Sequence, residues 1–417
     1  MRSVLAERGR LQRPAASGAG TERIPTKNDK ELSPRCGAHA TSEAPADAES
    51  FPAPDAAQRL KRLLAETAAR IADRSREAAA QSPDVQKTQD AEPAGEAPSL
   101  RLDLGRPLVT EEEALLLAEA PAEHTLAILE LGGLARALLL PNPSYRCGII
   151  NAKSGRCPEN CAFCAQSKFH HTNAPEYPMV EAGKLEAAAL RLEREGVRRF
   201  GIVTSGRGPS NKDIEALASA LEGMRGKTRI GFCASLGILN DERAQALAAA
   251  GFTRYHHNLE TSRTYFPRIC STHDYELDVE TVRTAQRAGM SVCSGGLFGL
   301  GESWRDRIEL AFTLSALKVD SMPINFLIPI PGTRLEKMPP LEPAEALRII
   351  AIMRLVNPLK DIVICGGRNQ ILGDRWETWV YAAGANVVMT GDYLTRPGNA
   401  FEKDRAAAAA IGAEPGC

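Results

Sequence analysis

The chain has 417 residues, and its 51 Lys and Arg nearly balance 52 Asp and Glu, which leaves a formal net charge of −1. That balance gives no global field to attract nucleic acid or an anionic membrane. No apolar run approaches the roughly 18 residues of a membrane span. Ten scattered cysteines and the lack of an export signal predict a reducing, cytoplasmic compartment.

Residues 1–100 differ in composition from the rest of the chain. They are rich in Ala, Pro, Glu, Ser and Gln, and Phe51 is their single aromatic residue. A segment of this kind buries too little apolar surface to offset its ordering entropy. We therefore expect a disordered, low-complexity extension, in which residues 56–80 form at most a lone amphipathic helix with Leu60 and Ile71 on its apolar side.

Two helical patterns, at residues 111–119 and 122–139, come before the first strand, and we expect them to cap the bottom of the fold. From Tyr145 onward, short apolar runs alternate with amphipathic stretches, and such alternation predicts right-handed crossovers and a parallel sheet. The predicted strands are 146–151, 200–204, 229–234, 254–258, 291–297, 321–328, 361–365 and 386–389. The predicted helices between them are 184–195, 213–224, 241–250, 279–288, 303–317, 343–355 and 375–382.

Eight strands with intervening helices fit an α/β fold of the (β/α)8 TIM-barrel type. An open, doubly wound sheet has the same local pattern, so periodicity alone does not close the barrel. The predicted barrel domain covers residues 101–405, and residues 406–417 are expected to be a flexible tail.

The most informative run follows the first predicted strand, where Cys157, Cys161 and Cys164 stand at C-x3-C-x2-C spacing. Gly155 and Pro158 exclude a regular helix or strand here. Thiolates favour iron–sulfur clusters, zinc or copper(I). Three of them leave a four-iron cluster or a zinc ion one ligand short, which predicts a site that binds a further molecule.

Two structural alternatives remain for this loop. His170 and His171 lie close behind it and could complete a Cys3His zinc site. A disulfide framework is the weaker alternative, since the cysteines are not spaced as one and no secretory segment precedes them.

A second set of cysteines lies at the ends of alternate predicted strands. Cys233, Cys293 and Cys365 fall on the third, fifth and seventh strands, and Arg368 follows the last of them. Because side chains in one barrel layer come from alternate strands, these thiols are expected to converge inside the barrel as a second metal–sulfur site. The alternative is that each is a small buried hydrophobe, as free cysteines usually are.

These residues lie within an ordered set of motifs that resembles the biotin synthase family of radical S-adenosylmethionine (SAM) enzymes. The resemblance spans roughly residues 106–404. Its motifs are found at residues 154–167, 257–262, 293–302, 323–327, 366–368 and 383–386.

The resemblance implies a closed barrel in which Cys157, Cys161 and Cys164 hold a 4Fe–4S cluster that binds and cleaves SAM. The resulting radical would activate dethiobiotin, and an auxiliary iron–sulfur cluster, 2Fe–2S or larger, would donate the sulfur atom of biotin. It also implies a flavodoxin or ferredoxin as electron donor and a homodimer.

Further roles carry over residue by residue from the resemblance. Cys233, Cys293 and Arg368 match auxiliary-cluster ligands, Arg368 being an unusual guanidine ligand. The residues that match the surroundings of SAM and substrate are Asn258, Glu260, Thr204, Ser205 and Gly299. Asn258, Glu260 and Arg368 are expected to act in catalysis.

The chain departs from the family pattern at Gly201, where many members carry a cysteine. Cys365 appears as an additional cysteine, and we expect Cys233, Cys293 and Cys365 to hold a rearranged auxiliary cluster. Cys270 is a weaker candidate. The missing ligand keeps open a related radical SAM enzyme, such as a hydrogenase-maturation type, and a non-enzymatic zinc- or cluster-binding regulator.

Overall fold

The computed structural model describes residues 54–81, 104–140, 144–395 and 398–412. Its centre is one sheet in which every pair of neighbouring segments is parallel. The segments are β1 (Tyr145–Lys153), β2 (Arg199–Thr204), β3 (Gly231–Ser235), β4 (Arg254–His256), β5 (Ser291–Cys293), β6 (Gly296–Phe298), β7 (Ser321–Phe326), β8 (Asp361–Ile364) and β9 (Val387–Met389).

The sheet closes on itself. Its order is β5-β4-β3-β2-β1-β9-β8-β7-β6, and β5 also pairs with β7 through Cys293 and Ser321. Since β5 and β6 both pair with β7, they are two parts of one barrel strand, interrupted at Gly295. A Cβ atom at Gly295 would lie 2.0 Å from the carbonyl oxygen of Pro323, so only glycine fits this interruption. The predicted eight-stranded parallel barrel is confirmed.

Helices surround this barrel, and no described helix combines the length and apolarity that crossing a bilayer requires. A short 3-10 turn covers Ala122–His124. The helices are α1 (Pro54–Gln81), α2 (Glu111–Ala118), α3 (Thr125–Leu139), α4 (Ala182–Arg194), α5 (Asn211–Met224), α6 (Asp241–Ala250), α7 (Phe266–Ile269), α8 (Tyr275–Arg287), α9 (Trp304–Ala316), α10 (Pro343–Val356), α11 (Arg368–Trp376), α12 (Trp379–Ala382) and α13 (Phe401–Ala409).

Helix α1 differs from the expected disordered extension, because it packs against α3 and α2. Its apolar side, including Leu60 and Ile71, is buried in the main core. Arg70 adds two hydrogen bonds to the carboxylate of Glu113, at 2.7 and 2.9 Å. The apolar side of α1, which the composition of residues 1–100 led us to expect without a packing partner, therefore packs against α3. The rest of the expected extension, residues 1–53 and 82–100, lies outside the described residues.

The barrel has two separate apolar layers. Paired residues of neighbouring parallel strands share a face, and successive residues alternate between faces. One face of the strands packs against the helices in the main core. The other face fills the barrel interior with a small cluster around Tyr145, Val363, Cys365, Val387 and Met389. The interior is thus lined partly by sulfur-bearing side chains.

One helix boundary differs from the prediction. Helix α11 begins at Arg368, whereas the sequence pattern predicted a helix over 375–382. Gly367 precedes it with a φ of 85°, and Gly373 interrupts it with a φ of 55°. These two glycines obscure the helical pattern in the sequence, and the helix brings Arg368 directly behind β8.

Candidate functional site: a thiol-lined cavity above a buried set of cysteines

The three-cysteine loop leaves the carboxyl end of β1, as active-site loops of such barrels do. Gly155 and Arg156 turn the chain with φ values of 84° and 52°. The backbone N–H of Cys157 then donates to the carbonyl of Gln166 at 2.9 Å, and the N–H of Lys168 donates to the carbonyl of Cys157 at 2.9 Å. These bonds tie the start of the loop to its end and gather the thiols.

Two side chains fasten this loop to the barrel. The Oε1 atom of Gln166 accepts from Ser154 Oγ at 2.9 Å and from the N–H of Gly155 at 3.3 Å. The hydroxyl of Ser205, after β2, donates to the carbonyl of Gly155 at 2.8 Å. Ser205, predicted to contact SAM, therefore holds the loop in this structure.

A cavity lies between this loop and the ends of β2 to β4. Among the described residues that line it are Cys157, Cys161, Thr204, Asn258 and Glu260. The structure thus brings together residues that are up to about a hundred positions apart in sequence. Ser205 and Gly299 are not part of this lining.

Cys164 belongs to the same electrostatic environment. Burial raises the pKa of its thiol to about 11, and the neighbouring charges of Cys157 and Glu260 add to that rise. The three loop thiols therefore face a common region, as a shared ligand set requires. A three-thiol set with an adjoining cavity fits a cluster that keeps one ligand position open.

Asn258 and Glu260 lie side by side on the segment after β4. The Oδ1 atom of Asn258 accepts from the N–H of Gly295 at 3.2 Å, and its Nδ2 donates to Glu260 Oε2 at 3.4 Å. Glu260 has a φ of 63°, which is uncommon outside glycine. Burial raises the pKa of its carboxyl group to about 7.

Gly299 lies in a loop stabilised by a buried carboxylate. Glu302 accepts hydrogen bonds from the N–H groups of Gly299 at 3.0 Å and Leu300 at 2.7 Å. Arg307 neutralises this carboxylate at 2.7 Å. These contacts shape the segment that was predicted to lie near SAM, while the φ of 93° at Gly299 explains the glycine.

Deeper in the barrel, the structure groups the predicted auxiliary cysteines and adds one. Cys365 and Cys147 belong to the same interior cluster. The thiol of Cys147 also interacts electrostatically with those of Cys233 and Cys293. Burial raises the pKa of all four thiols. Cys147 was not predicted from the sequence. It alternates along β1 with Tyr145 and Ile149, and this alternation indicates that its side chain faces inward.

Gly201 lies in this same layer, paired with Ile149 and Cys233. A Cβ atom there would lie 2.9 Å from the Cγ2 atom of Ile149. The methyl group of Ile149 thus lies beside the position where the family resemblance predicted a cysteine. Cys147 is the inward-facing residue two positions before Ile149 on the adjacent strand.

Arg254 is a cation of this interior layer that was not predicted from the sequence, and Arg199 is a second cation whose charge acts on the same thiols. Arg254 pairs with Cys233 across the β3–β4 register, and its Nη1 donates to the hydroxyl of Tyr145 at 3.3 Å. Its charge lowers the pKa of Cys147, Cys233 and Cys293, in opposition to burial. Arg254 therefore favours the thiolate forms that metal coordination needs.

Arg368, the expected guanidine ligand, has a different environment. It is buried, and its Nη2 contacts both carboxylate oxygens of Asp404 at 2.7 Å, while Nη1 lies 3.5 Å from Glu377. Burial disfavours its charge, but Asp404 and Glu377 raise its pKa overall. A guanidinium held in this way keeps its proton, so the geometry does not favour Arg368 as a ligand.

A further group of donors borders the three-cysteine loop. The Sγ atoms of Cys161 and Cys270 are 3.9 Å apart, and the thiol of Cys161 donates to Cys270, lowering the pKa of Cys270 and raising that of Cys161. Next to them, His273 Nδ1 lies 2.6 Å from Glu159 Oε2. Cys270, the weaker candidate for the auxiliary cluster, thus lies beside the loop thiols and not among the interior cysteines.

Two family models match the chain. The model of the radical SAM superfamily matches residues 152–314. The model of the biotin and thiamin synthesis associated domain matches residues 323–414. Together they cover most of the barrel and include the three loop cysteines, Cys233, Cys293 and Cys365, whereas Cys147 precedes the first match.

Curated relatives are similar over most of the chain. Biotin synthase from Nitratidesulfovibrio vulgaris (strain DSM 19637 / Miyazaki F) is 50% identical over 313 residues, which cover 73% of this chain and 86% of that protein. Biotin synthase from Geobacter metallireducens is 49% identical over 294 residues, covering 70% and 89%.

Solved structures share the fold at low sequence identity. The crystal structure of methylornithine synthase (PylB) has a TM-score of 0.65 and 18% identity, covering 74% of this chain and 94% of that one. The FeFe-hydrogenase maturase HydG from Carboxydothermus hydrogenoformans has a TM-score of 0.60 and 15% identity, covering 80% and 76%. At these identities the similarity supports the fold alone.

Proposed function

The chain belongs to the biotin synthase family of radical SAM enzymes, and we propose that it inserts sulfur into dethiobiotin to form biotin. The observation that supports this proposal is that two sets of thiols lie at different depths of the barrel. A cavity lined by loop thiols, Asn258 and Glu260 lies at the mouth of the barrel, and a second set of thiols lies inside the barrel.

The family implies a 4Fe–4S cluster and SAM as cofactors, and Cys157, Cys161 and Cys164 would hold the cluster. When bound, these groups supply a carbon radical that takes hydrogen from an unactivated C–H bond, chemistry that side-chain acids and bases do not provide. The chain's own task is to bind, to orient and to exclude water.

Glu260 and Asn258 are the residues that we propose to position SAM and substrate. A carboxylate accepts from two hydroxyl groups at once, and an amide both donates and accepts. Their mutual hydrogen bond orients both groups toward the cavity. Thr204 borders the same cavity, whereas Ser205 and Gly299 would act indirectly, by shaping the loops on either side.

For the auxiliary cluster, the arrangement favours Cys147, Cys233, Cys293 and Cys365 as ligands. Four thiols, of which Cys233 and Cys365 are buried and the other two half-buried, suit an iron–sulfur cluster, and Arg254 would compensate part of the negative charge. This set replaces the expected combination of Cys233, Cys293, Cys365 and Arg368. Such a cluster would be the source of the inserted sulfur.

We further propose a cytoplasmic homodimer with flavodoxin or ferredoxin as electron donor, and a barrel domain of residues 101–405 followed by a short tail. Family membership supports the dimer and the donor. The eight described cysteines, all free thiols, support a reducing compartment. Light scattering on the purified protein tests the dimer.

The test of the function is an anaerobic assay. The full chain is reconstituted with iron and sulfide, and reductant, SAM and dethiobiotin are added before mass spectrometry. We expect both 5′-deoxyadenosine and biotin, and neither product from Cys157→Ala. 5′-Deoxyadenosine without biotin would instead favour a related radical SAM reaction on another substrate, and a protein that binds only zinc would favour a regulatory role.

A further inference from the structure

A compact group of metal-binding side chains adjoins the thiols of the three-cysteine loop. Glu159 lies within the loop, Cys270 directly follows α7, and His273 precedes α8. One ligand atom from each lies within 4.8 Å of the other two. The side chains of Glu159 and His273 are each 8% exposed, and Cys270 is buried as well.

His273 is oriented as a metal-binding histidine would be. Its Nδ1 faces Glu159 at 2.6 Å and Cys270 Sγ at 3.4 Å. Its other ring nitrogen, Nε2, lies 3.2 Å from Asp278 Oδ2. The second oxygen of Asp278 is held by His257 at 2.8 Å. Metal-bound histidines commonly use their second nitrogen for such a carboxylate, which sets the ring orientation and the tautomer.

Cys161 supplies a second sulfur atom, next to that of Cys270, as a candidate fourth ligand. In a tetrahedral site with ordinary metal–ligand lengths, two sulfur ligands are about 3.8 Å apart and a sulfur and a nitrogen about 3.6 Å. The Sγ atoms of Cys161 and Cys270 are 3.9 Å apart, and Cys270 Sγ is 3.4 Å from His273 Nδ1. The hydrogen-bonded pair of Glu159 and His273 would have to separate to about 3.3 Å, and the thiol of Cys161, which lies outside the group of three atoms within 4.8 Å of one another, would have to move closer to that group.

We propose that Glu159, Cys270 and His273, with Cys161 as fourth ligand, form a mononuclear site for a divalent metal such as Zn²⁺ or Fe²⁺. Mixed sulfur, nitrogen and oxygen donors suit ions of borderline softness. The site forms in the chain that lacks the cluster of the three-cysteine loop. Because Cys161 is shared, the metal ion and that cluster exclude one another. This mutual exclusion rests on the proposed function, whereas the metal site itself does not.

The test is a titration with Co²⁺, under anaerobic conditions, of the full-length, chelator-treated, cluster-free protein in a Cys147→Ser/Cys365→Ser background, which removes two of the four interior thiols that would otherwise bind Co²⁺ as well. We expect one equivalent to bind, with the visible bands of tetrahedral cobalt and a thiolate-to-cobalt charge-transfer band, and Zn²⁺ to displace it. Cys270→Ala should abolish both signals. Asp278→Asn should weaken binding about 10- to 100-fold, as loss of such an orienting carboxylate does.

The matched control is Cys157→Ala/Cys164→Ala, which removes two loop thiols and leaves the proposed site intact. It should retain Co²⁺ binding but lose cluster assembly, whereas Cys270→Ala should retain cluster assembly. Co²⁺ binding that survives in Cys270→Ala, or that is lost in the control, overturns the proposal. If circular dichroism shows that Cys270→Ala is unfolded, Cys270→Ser replaces it and should lose the charge transfer from that sulfur.

Pre-bound Zn²⁺ should also slow cluster assembly in the unaltered chain and have no effect in Cys270→Ala. Equal slowing in both proteins would contradict shared use of Cys161. A wild-type chain that binds Co²⁺ as expected but makes no biotin would leave the metal site standing and refute only the proposed function.

Discussion

At the scale of single residues, sequence motifs located the loop thiols. The thiols that face the barrel interior were identified only from the tertiary structure. Cys157, Cys161 and Cys164 were found because their spacing is local. Cys147 was missed because it stands alone in β1, and its neighbours Cys233 and Cys365 lie far along the chain. The surroundings of Arg368 were not predicted from the sequence, since a motif match says nothing of Asp404, which the fold places against it.

The interior cysteines lead to a prediction about cluster content. Cys147→Ser or Cys365→Ser should lower the iron and sulfide bound by the auxiliary site, because each removes one thiolate from the four-thiol set. Cleavage of SAM should continue, since the loop thiols are unchanged. Iron and sulfide analysis with Mössbauer spectroscopy measures the first effect, and formation of 5′-deoxyadenosine the second.

Met389→Leu is the control for this experiment, because Met389 belongs to the same interior cluster and the change conserves volume. It should leave cluster content unchanged. Full auxiliary-cluster content in both cysteine variants would contradict the assignment.

Glu260 predicts a pH dependence of stability in the cluster-free protein. Burial raises the pKa of its carboxyl group from 4.5 to about 7, so the folded state binds the proton more tightly than the unfolded state. The stabilisation from this proton is full below pH 4.5 and is lost as the pH rises through about 7. Melting temperatures from pH 4 to 8 should show this fall in the wild type, and Glu260→Gln should lack it.

The same ionisation predicts the pH dependence of SAM binding to the cluster-loaded protein. If the carboxylate accepts from the ribose hydroxyls, the Kd should rise about tenfold between pH 8 and pH 6 as the group becomes protonated. Equilibrium dialysis measures it. A Kd that does not change with pH, or changes equally in Glu260→Gln, would argue against this role.

At the scale of elements, strand patterns were predicted well and interruptions were not. All eight predicted strands are present, but the strand predicted over residues 291–297 is divided into β5 and β6. The division exists because Gly295 approaches Pro323, a contact that no local pattern encodes. Helix α1 illustrates the same limit, since its apolar stripe indicated a helix and only α3 supplied the surface that buries it.

The packing of α1 predicts a stability difference between two identical substitutions. Leu60 in α1 is 3% exposed, whereas Leu126 in α3 is 63% exposed. Leu60→Ala should lower the free energy of unfolding by about 2–3 kcal/mol, because it leaves a cavity. Leu126→Ala should change it by less than about 0.5 kcal/mol. Denaturant unfolding measures both, and equal effects would show that α1 contributes nothing to the core.

At the scale of the whole molecule, the barrel is completed by contacts between its last elements. Arg368 at the start of α11 and Asp404 in α13 form an ion pair with side chains 2% and 0% exposed. Asn399 also donates to Asp404 at 2.9 Å. These contacts tie the helix that follows β8 to the last helix, and so fasten the end of the chain over the barrel.

The ion pair between Arg368 and Asp404 predicts a large loss of stability when the carboxylate is replaced by an amide. Asp404→Asn should lower the free energy of unfolding by about 3 kcal/mol, since it leaves the charge of Arg368 partly uncompensated in a buried site. The double variant Arg368→Met/Asp404→Leu should recover much of this loss. Thermal unfolding measures both effects.

Spectra of the auxiliary cluster in Arg368→Lys distinguish between Arg368 as a cluster ligand and Arg368 as the ion-pair partner of Asp404. Unchanged spectra are expected if Arg368 is a partner of Asp404. A changed spectrum with unchanged stability would restore it as a ligand.

The sequence by itself determined the alternation of strands and helices, the family and the thiol loop, because these depend on short-range periodicity and on the spacing of motif residues. Periodicity alone left the closure of the barrel open. Only the tertiary structure decided which side chains share the barrel interior, since inward-facing residues of different strands meet through closure and register. It placed Cys147 among the auxiliary thiols and Arg368 against Asp404. It also placed Cys270 and His273 beside the loop, since α7 and the start of α8 pack against the mouth of the barrel.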